Sequence, residues 1–556
     1  MKMTKRIGKP VAACVLALGM AAIPMATSGT FSAFAAQSGS KYYTDFATYE
    51  EELAYARQLN QEIFADSVVL MKNKDNALPL NTKTEKNVSL VGMISYNTIT
   101  GGTGSGAGNA SGFISMEDSL QDAGFNVNQK VSNIYKNTTC EAAVSMGFSV
   151  SNTTVEAPSN ILDNANGSFN FYGDAVIWTI GRVGGEGQDL LSYNVPTNED
   201  KTKHFLELDD NELDMLNYLE GLKESGTIKK IIVLLNTANV MEMGVLEDND
   251  NVDAILWIGQ PGSAGLGGLG QVLNGEVNPS GRTVDIWNAD HKNDPTWANN
   301  GNPGQNGTDP DTGKPYTTTA YYKDANGNYV SITGRANRAS LEETGKVVEY
   351  EEGIYLGYKY YETAAAEGIL TDERVGYVAE NGTIPSEYSN DAYYNRSTGV
   401  IYPFGYGLSY TSFSQELVTS ADDLQAEING KNKLDDKVTV SVKVTNTGNV
   451  AGKEVVQLYV HAPYIAGGIE KAEVSLVSYG KTGLLQPGQS EIVTMDVRIG
   501  DIASFDYDDA NDNGYKGYEI EEDNYEFRVQ ENSHVVIDRL KVALDAKTTS
   551  LDSDSD

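Results

Sequence analysis

Glu186 lies in the run Gly184-Gly185-Glu186-Gly187-Gln188-Asp189. It follows Asp174-Ala175-Val176-Ile177-Trp178-Thr179-Ile180, an apolar run that reads as a buried strand. A carboxyl in a Gly-rich loop at the end of such a strand can reach a cleft with little backbone in its way. Partial burial there raises its pKa towards neutrality, which suits a general acid. The competing arrangement is a surface turn in which Glu186 pairs with Arg182. That pairing would lower the pKa, the wrong direction for an acid. Asp189 is expected to order the loop.

Other chemistry-bearing stretches are less specific. The Gly101–Gly108 loop lacks the Lys-Ser/Thr of a phosphate-binding loop, and packing or cleft lining is the expectation. Asp509-Ala510-Asn511-Asp512-Asn513-Gly514 matches the first half of an EF-hand-like calcium loop. Ile520 holds the twelfth position, where a bidentate Glu is needed, with Glu519 and Glu521 on either side. A calcium loop and an ordinary Asp/Asn/Gly hairpin turn are both open. The four histidines are scattered, so no residue is assigned to a metal, and no cofactor is expected. Tyrosines number 32 and pair at Tyr321-Tyr322, Tyr360-Tyr361 and Tyr393-Tyr394. Such rings can stack on sugars, but filling an irregular interior is the expectation for any one of them.

Bulk composition narrows the partners. Lys+Arg total 41 against Asp+Glu 77, a formal net charge of -36, which repels phosphate backbones and excludes a nucleic-acid partner. The N-terminus reads as an export signal over residues 1–35: basic Lys2, Lys5, Arg6 and Lys9, an apolar Val11–Ala26, and Ala33-Phe34-Ala35 as cleavage site. A secreted or cell-surface location follows, with an uncleaved anchor as the alternative. Only Cys140 survives cleavage, so a disulfide within the mature chain is excluded, as is a cysteine-based zinc site.

Positioning Glu186 takes a layered domain. Helical patterns over Thr48–Lys72, Asp118–Gly124, Asp210–Leu222 and a Gly-interrupted Ser263–Leu273 alternate with strands at Val88–Met93, Asp174–Ile180, Ile231–Leu235 and Val252–Ile258. In the first helix, Ala56, Leu59, Ile63 and Phe64 supply an apolar stripe. The alternation predicts an α/β sandwich, a mostly parallel sheet flanked by helices, over 42–290. Residues 291–413 are a Tyr/Gly/Asn-rich excursion completing that domain. Period-two runs at Val438–Val444 and Ile492–Val497, an apolar Val455–Val460 and intervening turns predict an all-β fibronectin-III/immunoglobulin-like sandwich over 414–545. Residues 546–556 form an acidic tail.

These segments together resemble the non-barrel part of glycoside hydrolase family 3, the β-glucosidase and β-xylosidase family. Ala65–Asn73 with Leu78-Pro79-Leu80 resembles the opening of its α/β sandwich domain, Gly101–Gly106 its Gly-rich loop, and Val183–Asp189 the loop carrying its acid/base glutamate. Asn278-Pro279-Ser280-Gly281-Arg282, Tyr350–Tyr358 and Phe404–Tyr410 resemble the segments closing that domain. Thr445-Asn446-Thr447-Gly448 with Gly452–Val460 resembles its fibronectin-III-like domain. The resemblance implies retaining hydrolysis of terminal β-linked sugars, with Glu186 as acid/base. It also implies a (β/α)8 barrel as partner, in a longer protein or a separate chain, because the barrel carries the family's nucleophilic Asp. No barrel pattern and no Ser-Asp-Trp-like nucleophile motif is found here. Lys203-His204-Phe205 echoes a barrel motif but precedes the Asp210 helix, and is read as coincidence. A non-catalytic carbohydrate-binding or assembly module is the second reading.

Overall fold

The computed structural model describes residues 45–102, 112–146, 149–184, 190, 195–301, 321–323, 329–331, 347–348, 352–370, 392–394 and 399–548. The expected export signal, most of the Gly101–Gly108 loop and the acidic tail beyond Thr548 lie outside the described residues. Among the described residues, no helix is long and apolar enough to cross a membrane.

The chain enters through helix α1, Tyr49–Ser67, whose N-cap Thr48 accepts the Glu51 N–H and whose first turn carries Glu50, Glu51 and Glu52. Those charges suit the helix dipole. The pattern read as helix to Lys72 breaks at Ser67, and Val69–Asn73 is a strand, β1. The reason lies in Val68-Val69-Leu70-Met71, which is buried on every side and belongs to a sheet interior. The predicted stripe is also displaced. Phe64 and Ala65 are buried, while Ala56, Leu59 and Ile63 face outwards. Helix α1 docks instead on the Gly-rich turn Gly265–Gly268, where the backbone comes so close that a Cβ on Gly268 would stand 2.7 Å from the Gln61 carbonyl oxygen.

The central sheet adds β2 (Asn87–Val91), β3 (Asn126–Val127), β4 (Ala175–Arg182), β5 (Ile231–Thr237) and β6 (Ala254–Trp257), in the order β1-β6-β5-β4-β2-β3. All neighbours are parallel except β1, which runs antiparallel to β6 at the edge. Every residue of β5 is buried, as expected for a parallel strand covered on both faces. Helices α2 (Met116–Asp122), α3 (Gln129–Lys136), α4 (Asp210–Glu224) and α5 (Leu269–Leu273) complete the layers. Two apolar cores result, one on each face: one holds Trp178, Val233 and Leu219, the other Ile177, Leu234 and Leu120.

Within the Tyr-rich excursion, helix α6 (Tyr358–Ala366) buries Tyr361, and Val400–Tyr402 pairs with Trp287–Asn288 of the sandwich. Tyr361, Tyr393 and Tyr394 form a small core with Ile286 and Leu370, so these rings fill an interior. The side chains of Tyr321 and Tyr322 lie outside the described residues.

The second domain is all-β apart from helices Ala421–Asn429 (α7) and Ile499–Ile502, which the period-two pattern did not announce. Strand β7 (Phe413–Leu417) pairs with β8 (Lys437–Asn446), and β8 with β11 (Ser490–Arg498). Facing them, β10 (Ser475–Lys481), β9 (Val455–His461), β14 (Asp523–Gln530) and β15 (Val536–Leu544) form a four-stranded sheet. A third sheet joins β12 (Ser504–Asp506), β13 (Gly517–Ile520) and β16 (Lys547–Thr548). Strand β8 buries Val438, Val440, Val442 and Val444 and exposes the residues between, the alternation of a half-solvated sheet. The two domains touch through paired charges: Arg282 Nη2 lies 3.0 Å from both Glu454 oxygens, and Lys453 pairs with Asp66.

A candidate active-site edge at the ends of the parallel strands

The carboxyl ends of β2, β4, β5 and β6 share one edge of the sheet. Buried polar side chains tie their loops together there. Asn236, near the end of β5, accepts the Ile99 N–H at 2.7 Å and donates to the Ile99 and Gly259 carbonyls, joining the segments after β2 and β6. Gly181 and Gly184 sit where neighbouring side chains pack closely on the backbone. A Cβ on Gly181 would meet Ile94 Cγ2 at 2.8 Å, and one on Gly184 would meet Asn239 Oδ1 at 2.7 Å.

Strand β4 ends on Arg182, which is 4 % exposed. Its guanidinium has five N–H donors, and each has an acceptor. Nε donates to the Phe205 carbonyl at 2.6 Å. Nη1 donates to the Gly181 carbonyl and Glu212 Oε1, and Nη2 to the Glu207 carbonyl and Glu212 Oε2. Glu212 in turn accepts the Asp209 N–H, while Asp209 accepts the Glu212 N–H, a capping box that starts α4. Among the described residues, Arg182 is thus held by Glu212 and three carbonyls.

Glu186 itself, with Gly185, Gly187, Gln188 and Asp189, lies outside the described residues. The stems of its loop do not. Val183 on one side and Leu190 on the other both pack against Val195 and Phe205. The segment carrying Glu186 therefore leaves and returns at one apolar anchor on the sheet edge.

Three carboxyls that the sequence did not single out stand beside that anchor. Glu156, Asp209 and Glu212 line a cavity of about 20 Å3 with Arg182, Asn198 and Phe205, room for about one water and too little for a sugar. Burial pushes the Glu156 carboxyl up to about 8, against the N–H donors of Trp178, Ala157 and Met93. Burial and the Glu212 charge push Asp209 up to about 6. The only signal for them in the sequence was Asp209 followed three residues later by Glu212, a helix-start pattern.

A pH effect follows with a definite sign. A carboxyl raised on folding contributes its full stability below its unfolded pKa and loses it as pH rises through the folded value. For Glu156 the window runs from 4.5 to about 8. Urea unfolding should show stability falling across that window, and Glu156→Gln should flatten the fall. An unchanged slope in the variant would count against the assignment.

Lys203-His204-Phe205 is not idle. The Phe205 carbonyl holds Arg182, and the His204 ring is 2 % exposed. His204 Nδ1 accepts the Leu206 N–H at 3.2 Å, so the neutral ring carries its proton on Nε2, 2.7 Å from Glu242 Oε1. Burial would raise the Glu242 carboxyl, but the bonds from His204 and from the His291 N–H hold it below the usual range. The rings of His291 and Trp297 each stand 5.4 Å from His204. The histidines read as scattered thus include one close pair. His204, Glu207 and Glu242 bring ligand atoms within 4.8 Å of one another. With Nδ1 already accepting an N–H, Nε2 could bind a cation only as an imidazolate. The cluster is better described as a hydrogen-bonded brace.

Comparison with known proteins agrees with this architecture. Residues 68–358 match the model of the glycosyl hydrolase family 3 C-terminal domain, and residues 454–533 match a fibronectin type III-like domain. The chain is 28% identical over 468 residues to beta-glucosidase A of Butyrivibrio fibrisolvens, covering 81% of this chain and 46% of that protein. It is 30% identical over 451 residues to a beta-glucosidase of Ruminococcus albus, covering 80% of this chain and 36% of that protein. The structure of beta-glucosidase 3B from Thermotoga neapolitana in complex with alpha-D-glucose superposes with a TM-score of 0.61 at 26% identity, over 90% of this chain and 55% of that one. The chain spans less than half the length of these two curated relatives.

Proposed function

This chain belongs to glycosyl hydrolase family 3, and from that membership we propose that it carries the acid/base half of a retaining β-glucosidase site. Retaining hydrolysis uses two carboxyls about 5–5.5 Å apart, one a nucleophile and one an acid that later acts as base. Glu186 is the acid/base in this reading. It protonates the departing glycosidic oxygen while the nucleophile attacks the sugar. It then takes a proton from the water that releases the glycosyl group. A (β/α)8 barrel supplies the nucleophile and most sugar contacts, since no such barrel is present among the described residues. The substrate class is a terminal β-linked glucoside, and no cofactor is needed.

The observation that carries this reading is the commitment of Arg182 beside the anchored loop stems. A general acid must hold its proton near working pH, and a free guanidinium next to it would strip that proton. Here the guanidinium is consumed by Glu212, and the carboxyls of Glu207 and Asp209 line the same strand end. Such surroundings favour a protonated carboxyl at Glu186.

The test compares the chain alone with the same chain joined to a family 3 barrel. The chain alone should hydrolyse an aryl β-glucoside no faster than buffer does, and the joined form should turn it over. Turnover by the chain alone would reject the divided site. An inactive joined form with the barrel folded would favour the non-catalytic carbohydrate-binding module. Export is part of the proposal: protein collected from the medium should begin at Ala36, and a retained N-terminus would argue for an anchor.

A further inference from the structure

The hairpin between β12 and β13 carries a feature unrelated to glycoside hydrolysis. Glu519 on β13 is 2 % exposed. One of its oxygens accepts the Asn513 side-chain N–H at 2.5 Å. The other, Oε1, is fully buried and has no partner. A buried carboxylate needs a cation or a full set of donors, because desolvation of the charge is otherwise uncompensated. Lys516, the lysine of the loop, is taken by Asp508, and Lys471 is taken by Glu521.

Glu519 faces the Asp509–Gly514 loop, whose oxygen-bearing side chains alternate along the chain. Asp509 Oδ1 accepts the Gly514 N–H at 2.9 Å, and Asn513 Oδ1 accepts the Tyr515 N–H at 2.8 Å. Asp506, buried at the stem, takes the N–H groups of Asp508 and Ala510. Positive φ at Asp509, Asp512 and Gly514 lets the loop coil back on itself. Residues 506–523 hold eight carboxylates and a single lysine, so the hairpin repels itself without a multivalent counterion.

The geometry points to a calcium site built from Asp509, Asn511, Asn513 and Glu519. The donors are hard oxygens, with no thiol or imidazole, which selects calcium over zinc or copper. Each Asn oxygen can accept a backbone N–H and still offer a lone pair to the ion. Glu519 replaces the glutamate missing at position twelve. It stands at position eleven, on the strand that follows the loop. Asp506 shapes the loop and is not a ligand.

The experiment uses the full chain stripped with chelator. Terbium luminescence sensitised by Tyr515 and Tyr518, competed by calcium, should report one saturable site with a Kd in the range of extracellular modules, about 10⁻⁴–10⁻³ M, or tighter. Glu519→Gln should weaken calcium at least about tenfold, and so should Asp509→Asn, because each removes one ligand charge. Asp509→Asn keeps the oxygen that accepts the Gly514 N–H, so it tests binding even if Glu519→Gln fails to fold. No saturable calcium signal up to about 10 mM, tenfold above the weakest of those modules, would overturn the proposal. Unchanged affinity in a folded Asp509→Asn variant would overturn it equally.

Discussion

Glu186→Gln, made in a form joined to the barrel, is expected to slow hydrolysis of an alkyl β-glucoside by about 10²–10⁴-fold, the usual contribution of a positioned acid. The size of the loss should depend on the leaving group. An alkoxide departs poorly without a proton, so the whole contribution is exposed. A dinitrophenolate departs unaided, so formation of the glycosyl-enzyme should be nearly normal with that substrate. The second step still needs a base to activate water, and the variant lacks one. A burst of dinitrophenol followed by slow turnover is therefore expected. Azide, which needs no base, should restore turnover and yield a β-glucosyl azide, retaining the configuration. An equal loss on both substrates, with no burst and no azide effect, would remove Glu186 from the chemistry. Asp189→Asn should have a much smaller effect, since its expected part is to order the loop.

Much of this architecture was legible because parallel sheets and sandwiches write different periods into a sequence. The continuous apolar runs at Ala175–Ile180 and Ile231–Leu235 are buried on both faces, and Val438–Val444 alternates because one face meets water. The failures have physical causes. Helix α1 was read five residues too long at its C-terminal end because Val68–Met71 continues an apolar pattern whose period changes within one turn. Its docked face buries only Phe64 and Ala65 and approaches the backbone of Gly265–Gly268 closely, so Ala56, Leu59 and Ile63 are left outside. The loop of Glu186 was legible as a motif. The Arg182–Glu212 pair that braces its stem was not, since 30 residues separate the partners and neither belongs to a period. His204 illustrates the same limit. Its partners Glu242 and His291 come from distant segments, and only the folded chain brings them together.

That hidden brace has the largest expected effect on stability. Arg182 and Glu212 are each 4 % exposed and joined by two bonds of 2.6 and 2.7 Å. Removing one partner leaves the other charge buried and uncompensated, at a cost of about 3–5 kcal/mol. Arg182→Met should therefore lower the urea midpoint strongly, and Glu212→Leu should do the same while also losing its half of the capping box. The double variant should lose less than the two singles together, because no orphaned charge remains. Additive losses would show that the pair is not a unit. The readout can be confined to the right domain. All four tryptophans, Trp178, Trp257, Trp287 and Trp297, lie in the α/β part, so tryptophan fluorescence follows that domain alone. The Arg182→Met loss should also depend on pH. Asp209 is pushed up to about 6 by burial and the Glu212 charge, against the lowering charge of Arg182. Without the guanidinium it rises further, and the stability tied to its proton is lost over a wider span as pH rises. The loss should therefore be smaller at pH 5 than at pH 8. A loss that is the same at both values would mean that Arg182 acts through its packing against Phe205, 5.3 Å from the ring centre, rather than through its charge.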